Sequence, residues 1–483
     1  MRRRGAAAGR GQPDGRSSAT PLHGTSRQRV PDSSIEVSSQ DGRPMSSWKH
    51  HLDPDDITRQ AADLHIWGFP YVFAQRLRLR FTLPLTPDAP RPDTSAGAAV
   101  NRLGHQRKLS DPTLTSGVAP NVDTLYSLAF LDLACGTFRL RLPGFGDRYY
   151  SIQIGEADSS TAAVLGQRTH GTQMPEIIVH HRGSPAAEAD CATTIACRSR
   201  FVMVAIRILV DPSRGDDLRT VHELQDRIEL SGPGTPAGAP PRTLVERERQ
   251  AETHDTAAFL DSLSAVLADT ERAEVPEWVT DALGTVRVAL DDPTLQRSAD
   301  LGLAKGLRAI EQHVAALGRT VNGWSINDRG TDFGGYHLLR AAVAYSQIYI
   351  NPAEEALYPI CEHDDNGSPL TGTHCYTLRF ERGNRPPVDQ FWSLTVYHAK
   401  GLLYDNAIDR YAITDRTPGL HVGADGSLTI HLQTQRPTQP YANWLPCPPG
   451  HFRLMLRLYG PRNPRWNPPP VRQVPQICEP TDE

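Results

Sequence analysis

Apolar and polar residues alternate most cleanly in Phe452–Tyr459. Phe452, Leu454, Leu456 and Leu458 fall on one side there, with Arg453 and Arg457 on the other. A period of two is the signature of a strand with unlike faces. The same period runs through Tyr149–Ile154. It sets Tyr150, Ile152 and Ile154 on one face and Tyr149, Ser151 and Gln153 on the other. Phe138, Leu140 and Leu142 alternate likewise, and Glu176–His180, Phe201–Val210, Phe391–Tyr397 and Leu428–Gln433 have the β-branched and aromatic content of strands. Asp425-Gly426 reads as a tight turn ahead of one of them.

Helical spacing appears in two places. Ile57, Ala61, Leu64 and Trp67 follow the acidic helix start Asp53-Pro54-Asp55-Asp56, and Pro70 is expected to kink or end that helix. Between residues 242 and 320, two stripes step by threes and fours: Val279, Leu283, Val286, Leu290 and Leu303, Leu307, Ile310, Val314, Leu317. Both predict core-facing helix surfaces. No internal repeat is evident.

These patterns predict an α+β fold. Two β-rich modules, jelly-roll or sandwich-like, occupy residues 52–230 and 321–472, with a helical connector at 242–320. Residues 231–241 are rich in Gly and Pro and read as a linker. Residues 1–46 hold eight Arg, four acidic residues and almost no large apolar side chains, so they are expected to be a disordered tail.

Composition narrows the function classes. A formal charge of −4 over 483 residues argues against a general nucleic-acid binder. No apolar run approaches the roughly 20 residues that cross a bilayer. Ala6-Ala7-Ala8 is interrupted by Gly9 and Arg10, so no signal peptide is readable. The seven cysteines include no C-x-x-C pair, which fits scattered thiols in a reducing cytoplasm. The adjacent pairs His50-His51 and His180-His181 do not have zinc-ligand spacing, and no metal site is expected. Dinucleotide, P-loop and nucleophile-elbow signatures are all missing.

What remains is a set of polar clusters set in apolar sequence. In Pro120–Ser127, either Asn121 and Asp123 close a turn, or Asp123 and Tyr126 present a carboxylate and a phenol to a pocket. Gln153, on the face shared with Tyr149, either lines a cavity or meets solvent. Phe391–His398 leads into Asp405–Tyr411, which offers Trp392, Tyr397, His398, Asp405 and Arg410. Arg410 either binds an anion through its planar fork or ties down its own turn. Asn443-Trp444 offers an aromatic wall beside an amide. In Asn351–Tyr358 the glutamates read as helix-start residues.

Pro120–Ser127, Arg148–Gln153 and Gly166-x-Arg168 resemble the domain of unknown function numbered twelve fifty-four. Asn322–Trp324, Asn351–Tyr358, Pro386–Tyr397, Asp405–Tyr411, Asp425–Gln433, Asn443–Pro446 and Trp466–Val471 resemble its usual partner, domain of unknown function twelve fourteen. The resemblance spans residues 55–472 and implies helices beside two β modules, with no established reaction. The family often looks exported. It commonly has Asp where this chain has His398, and an Asp with an aromatic residue near Glu156–Ser160.

The resulting expectation is an enzyme acting on a small organic molecule by acid/base or electrostatic catalysis, without a redox cofactor. Asp123, Tyr126, Tyr397 and Asp405 would be catalytic. Gln153, Arg168, Trp392, Arg410 and Trp444 would bind substrate. The cofactor is unknown, and a homo-oligomer is left open. The alternative is a non-catalytic carbohydrate- or lipid-binding protein with Trp392 and Trp444 as a stacking platform.

Overall fold

The computed structural model describes residues 52–84, 90–115, 119–184, 192–234, 255–329, 331, 333–439 and 442–475. The Arg-rich segment 1–46, His50-His51, the linker beyond residue 234, Cys191 and Cys478 lie outside the described residues.

Helix α1, Pro54–Thr82, is capped by Asp53, whose side chain accepts the Asp55 N–H, and has Pro54 in its first turn. It runs through Pro70, so of the two expected outcomes the helix does not end there. An interior proline costs about 3 kcal/mol. Here Leu64, Trp67, Tyr71 and Val72 are buried around that point against α4 (Thr256–Ala268), α5 (Glu277–Ala289) and α6 (Pro293–Ala315), an apolar contact large enough to offset it. The α1–α6 crossing is close. A Cβ on Gly302 would lie 2.3 Å from the Thr58 carbonyl oxygen. Helix α7, His337–Gln347, completes this layer against α1 and α6. Two shorter helices, α2 (Gln167–His170) and α3 (Asp217–Asp226), belong to the β region.

The strands form two sandwiches. In the first, the large sheet has the order β1 (Gly104–His105), β2 (Thr124–Asp132), β8 (Phe201–Leu209), β4 (Tyr150–Gly155), β5 (Thr161–Gly166). Its small sheet has the order β7 (Thr193–Cys197), β6 (Ile177–His181), β3 (Phe138–Arg141), β9 (Glu229–Ser231). In the second, the large sheet runs β10 (Arg319–Val321), β11 (Trp324–Ile326), β13 (Ile360–Cys361), β19 (Phe452–Pro461), β15 (Val388–His398), β16 (Ala412–Thr414), with β12 (Ala356–Leu357) also on β19. The small sheet runs β18 (Asn443–Pro446), β17 (Leu428–Gln433), β14 (Cys375–Phe380), β20 (Val471–Val474). Each sandwich encloses its own apolar core. The fold is α+β with sandwich-like sheets.

The two sandwiches are the same fold twice. Strands β2 to β9 correspond in order to β12/β13, β14, β15, β16, β17, β18, β19 and β20. Both small sheets carry one parallel edge pair, β6–β7 and β17–β18, in otherwise antiparallel surroundings. The register extends the match to residues. Ser151 is paired with Arg207, as Ser393 is with Arg457. Thr124 lies opposite Leu209, as Ala356 lies opposite Tyr459. Tyr149-Tyr150-Ser151-Ile152-Gln153-Ile154 thus matches Phe391-Trp392-Ser393-Leu394-Thr395-Val396, and Asp123-Thr124-Leu125-Tyr126 matches Glu355-Ala356-Leu357-Tyr358. The reading that found no internal repeat is corrected here. Identity between the halves survives mainly where the two large sheets meet.

Candidate functional site

The period-two alternation sends alternate residues of each large sheet to opposite faces. Tyr150, Ile152 and Ile154 enter the first core, and Trp392, Leu394 and Val396 enter the second. The other faces, with Tyr149, Gln153 and Arg207 in one sandwich and Phe391, Tyr397, Arg457 and Tyr459 in the other, are pressed together. Tyr149 meets Phe391 and Tyr459 with ring centroids 5.3 and 5.1 Å apart. This seam holds a buried polar network.

Two crossed acids clamp it. Asp123 accepts from Ser393 Oγ at 2.5 Å and from Arg416 Nη2 at 3.3 Å, both in the second sandwich. Its counterpart Glu355 accepts from Tyr149 OH at 2.8 Å and from Arg168 Nε at 2.7 Å, both in the first. Arg168 and Arg416 are equivalent positions. Each follows by two residues the partner of the repeated serine, Gly166 or Thr414. Reciprocal contacts of this kind are what a two-fold relation produces, here between two halves of one chain.

A pair of buried arginines lies between the clamps. Arg457 is saturated. It donates to Thr395 Oγ1 (2.8 Å), Tyr397 OH (2.6 Å) and the Ala119 carbonyl (2.8 Å). Arg207 donates through Nη2 to Gln153 Oε1 (2.9 Å) and through Nε to Tyr126 OH (3.3 Å), but its Nη1 has no hydrogen-bond partner among the described residues. Asn351, whose Nδ2 donates to Tyr358 OH at 2.8 Å, keeps an equally unpartnered Oδ1. Buried polar atoms are nearly always satisfied, so an idle donor and an idle acceptor around one tyrosine pair mark an exception that calls for a cause.

The phenols differ in proton affinity. Burial raises Tyr149, Tyr358, Tyr397 and Tyr459 above the usual range. Burial pushes Tyr126 the same way, but the charge and hydrogen bond of Arg207, with help from Asn121 and Arg457, outweigh it, and Tyr126 ends below its ordinary value. Tyr126 and Tyr358 are half-buried.

Of the residues singled out from sequence, the structure brings Asp123, Tyr126, Gln153, Arg168 and Tyr397 to this seam. It leaves four elsewhere. Trp392 is buried in the second core beside Phe380, one register position away from the seam face. Trp444 is half-buried and donates its Nε1 to the Gln433 carbonyl. Arg410 donates to the Trp444 carbonyl at 2.9 Å, which ties its loop to β18. Asp405 is exposed and, among the described residues, has no hydrogen bond or ion pair with His398. His398 itself ends β15 in a turn, where its Nδ1 accepts the Lys400 N–H. Sequence reasoning missed Arg207, Glu355, Tyr358, Arg416 and Arg457 as seam residues. Their signal was the repeat itself. Among the described residues no three metal-ligating side chains converge.

Two family models match, each over one sandwich: Protein of unknown function (DUF1254) at residues 100–232, and Protein of unknown function (DUF1214) at residues 355–463. The chain belongs to the two-module family that pairs these domains. No curated protein matches it. Among solved structures, the VPA0106 protein from Vibrio parahaemolyticus aligns over 87% of this chain and all of its own, with a TM-score of 0.63 and 20% identity. That likeness shows the family fold and nothing about activity. An uncharacterised protein from Burkholderia cenocepacia aligns over 89% of this chain and 97% of its own at 14% identity and a TM-score of 0.42.

Proposed function

We propose that this member of the two-module family is an enzyme that acts on a small organic molecule by acid/base and electrostatic catalysis at this seam. Tyr126 would be the proton-transfer group and Arg207 the anion holder. The observation that carries the reading is the unpartnered Nη1 of Arg207 beside the one seam phenol whose proton affinity is lowered. A substrate oxygen that gains negative charge would complete the arginine's donor set, and the phenol would take or return the proton. Asp123 is a weaker choice of base, because both its oxygens are already engaged. Trp392, being buried, offers no stacking platform for the carbohydrate- or lipid-binding alternative. Among the described residues, no helix is long and apolar enough to cross a membrane. A cytoplasmic setting belongs to this reading.

The test begins with metabolites retained by the purified chain and identified by mass spectrometry, each then assayed for turnover. Tyr126→Phe and Arg207→Gln should each lower turnover of a hit by about 10²–10⁴-fold while thermal unfolding stays cooperative. Full turnover in both folded variants sinks the assignment.

A further inference from the structure

A cavity lies on the side of the second sandwich that faces away from the seam. Leu378 and Phe380 of β14 and Leu428, Ile430 and Leu432 of β17 enter the core. The residues that alternate with them, Arg379, Thr429 and His431, therefore stand on the outer face of the small sheet. Residues 421–427 form a second wall beside them. Asn443 of β18 pins that segment. Its Oδ1 accepts the His421 N–H at 2.8 Å, and its Nδ2 donates to the His421 and Thr429 carbonyls at 2.9 and 2.8 Å. The half-open space so formed holds about 450 Å³, within the range of small-molecule sites.

Its charges are matched, and its hydrogen bonds are not. The Arg379 guanidinium pairs with Glu381 and Asp425, so no anion is called for. Those pairs use Nε and Nη2 and leave Nη1 without a partner among the described residues. Thr429 Oγ1 and the His431 ring likewise make no hydrogen bond among the described residues. Burial lowers the proton affinity of His431, so its ring is neutral at neutral pH and offers one donor and one acceptor. Arg379 lies opposite Thr429 in the register, and His431 is the next outward residue of β17, so the three form one row.

The repeat gives a second, independent observation. Strand β6 corresponds to β17. Ile178 faces Arg139 as Thr429 faces Arg379, and His180 stands where His431 does. In the first sandwich this face is closed. Ile178 and His180 are 0% and 5% exposed, and His180 Nδ1 donates to the His181 carbonyl at 3.0 Å. In the second, the isoleucine is a threonine, the histidine is unbonded and the cavity stands in front of them.

We propose that this cavity binds a sugar, with ring hydroxyls on Arg379 Nη1, Thr429 Oγ1 and the His431 ring. Hydroxyls donate and accept alike, as this row requires. Thr429 and His431 are about 7 Å apart along the strand, a span for several hydroxyls on one ring rather than for a single one. Among the described residues no aromatic or large aliphatic side chain lines the space, which disfavours an apolar ligand.

Saturation-transfer NMR on the full chain tests this with glucose, galactose, mannose and xylose, and with cyclohexanol as a ring that has one hydroxyl. At least one of the four sugars should bind with a Kd of about 1 mM or tighter, and cyclohexanol should not bind. Thr429→Val, which keeps the β-branched shape and removes the hydroxyl, should weaken that sugar about tenfold. Thr429→Ile, which installs the residue of the closed copy, should abolish binding. Both substitutions suit a half-buried strand position, so cooperative thermal unfolding should be kept. Silence from all four sugars, an equal response to cyclohexanol, or unchanged affinity in Thr429→Ile would each overturn the site. Tyr126→Phe and Arg207→Gln should leave sugar binding intact, so failure here and failure of the seam reading are distinguishable.

Discussion

The two sandwiches have the same strand order and keep the same Ser–Arg pair at their centre, yet they treat the arginine differently. In the second, Arg457 has hydroxyl and carbonyl acceptors on both its terminal nitrogens. In the first, Arg207 is left one donor short beside a tyrosine of lowered proton affinity. The strands facing them differ too. Strand β2 is continuous over nine residues, whereas its counterpart breaks at Pro359 into β12 and β13. A repeat in which one of two equivalent arginines is engaged at both terminal nitrogens and the other is not points to a division of labour. One half braces the seam, and the other keeps the donor on which the proposed chemistry rests.

The largest expected effect breaks that comparison directly. Arg457→Met strips acceptors at Thr395, Tyr397 and Ala119 of their donor in a dry interior and should cost about 3–5 kcal/mol of unfolding free energy. Arg207→Met removes fewer bonds and should cost about 1–3 kcal/mol. Urea unfolding measures both, and equal losses would mean that the arginines are equally structural.

Next come the crossed clamps. Asp123→Asn leaves Arg416, whose side chain is 12% exposed, without its seam carboxylate, and should cost about 2–4 kcal/mol. Glu355→Gln leaves Arg168 at 31% exposure, where water can reach it, and should cost about 1–2 kcal/mol. A double-mutant cycle on each pair gives the coupling. A reversed order would show that exposure does not govern the difference.

The sequence made much of the fold legible and the site only partly so. Alternation in Tyr149–Ile154 and Phe452–Tyr459 assigns each residue to a face, and the structure has the same assignment. Which face meets solvent, core or another module is a tertiary fact that a period of two does not encode. Trp392 and Tyr397 therefore looked equivalent in sequence, although one enters a core and the other the seam. Glu355 read as a helix-start residue because the cue is local, while its partners Tyr149 and Arg168 lie about two hundred residues away. The repeat would have linked them: Asp-Thr-Leu-Tyr at 123–126 and Glu-Ala-Leu-Tyr at 355–358 mark one position twice.

The smallest effect sharpens the comparison at the sheet edges. In the first sandwich the edge strand β1 carries His105, its Nδ1 2.8 Å from Ser127 Oγ. The strand in the corresponding place of the second, β11, has β10 on its outer side and offers Trp324, Ser325 and Ile326, none of which titrates near neutrality. Burial, with the Arg107 charge, lowers the His105 pKa to about 4, against about 6.5 in an unfolded chain. The ring is thus neutral in both states above pH 6.5, and its contribution is intact there. As pH falls from 6.5 toward 4 the unfolded chain takes up a proton that the fold refuses, so stability drops with acidification. Solvent access at this edge discounts the loss to about 1–2 kcal/mol. His65 in α1 shifts the same way, also to about 4, and burial lowers His337 and His431 too, so the whole-molecule pH profile mixes four rings. Amide exchange separates them. Between pH 7 and 4.5 the free energy of opening at β1 and β2 should fall relative to that at β15 and β19, and His105→Gln should abolish the difference. A drop that is uniform across both sandwiches would assign the acid response to the helical layer and remove this asymmetry from the pair.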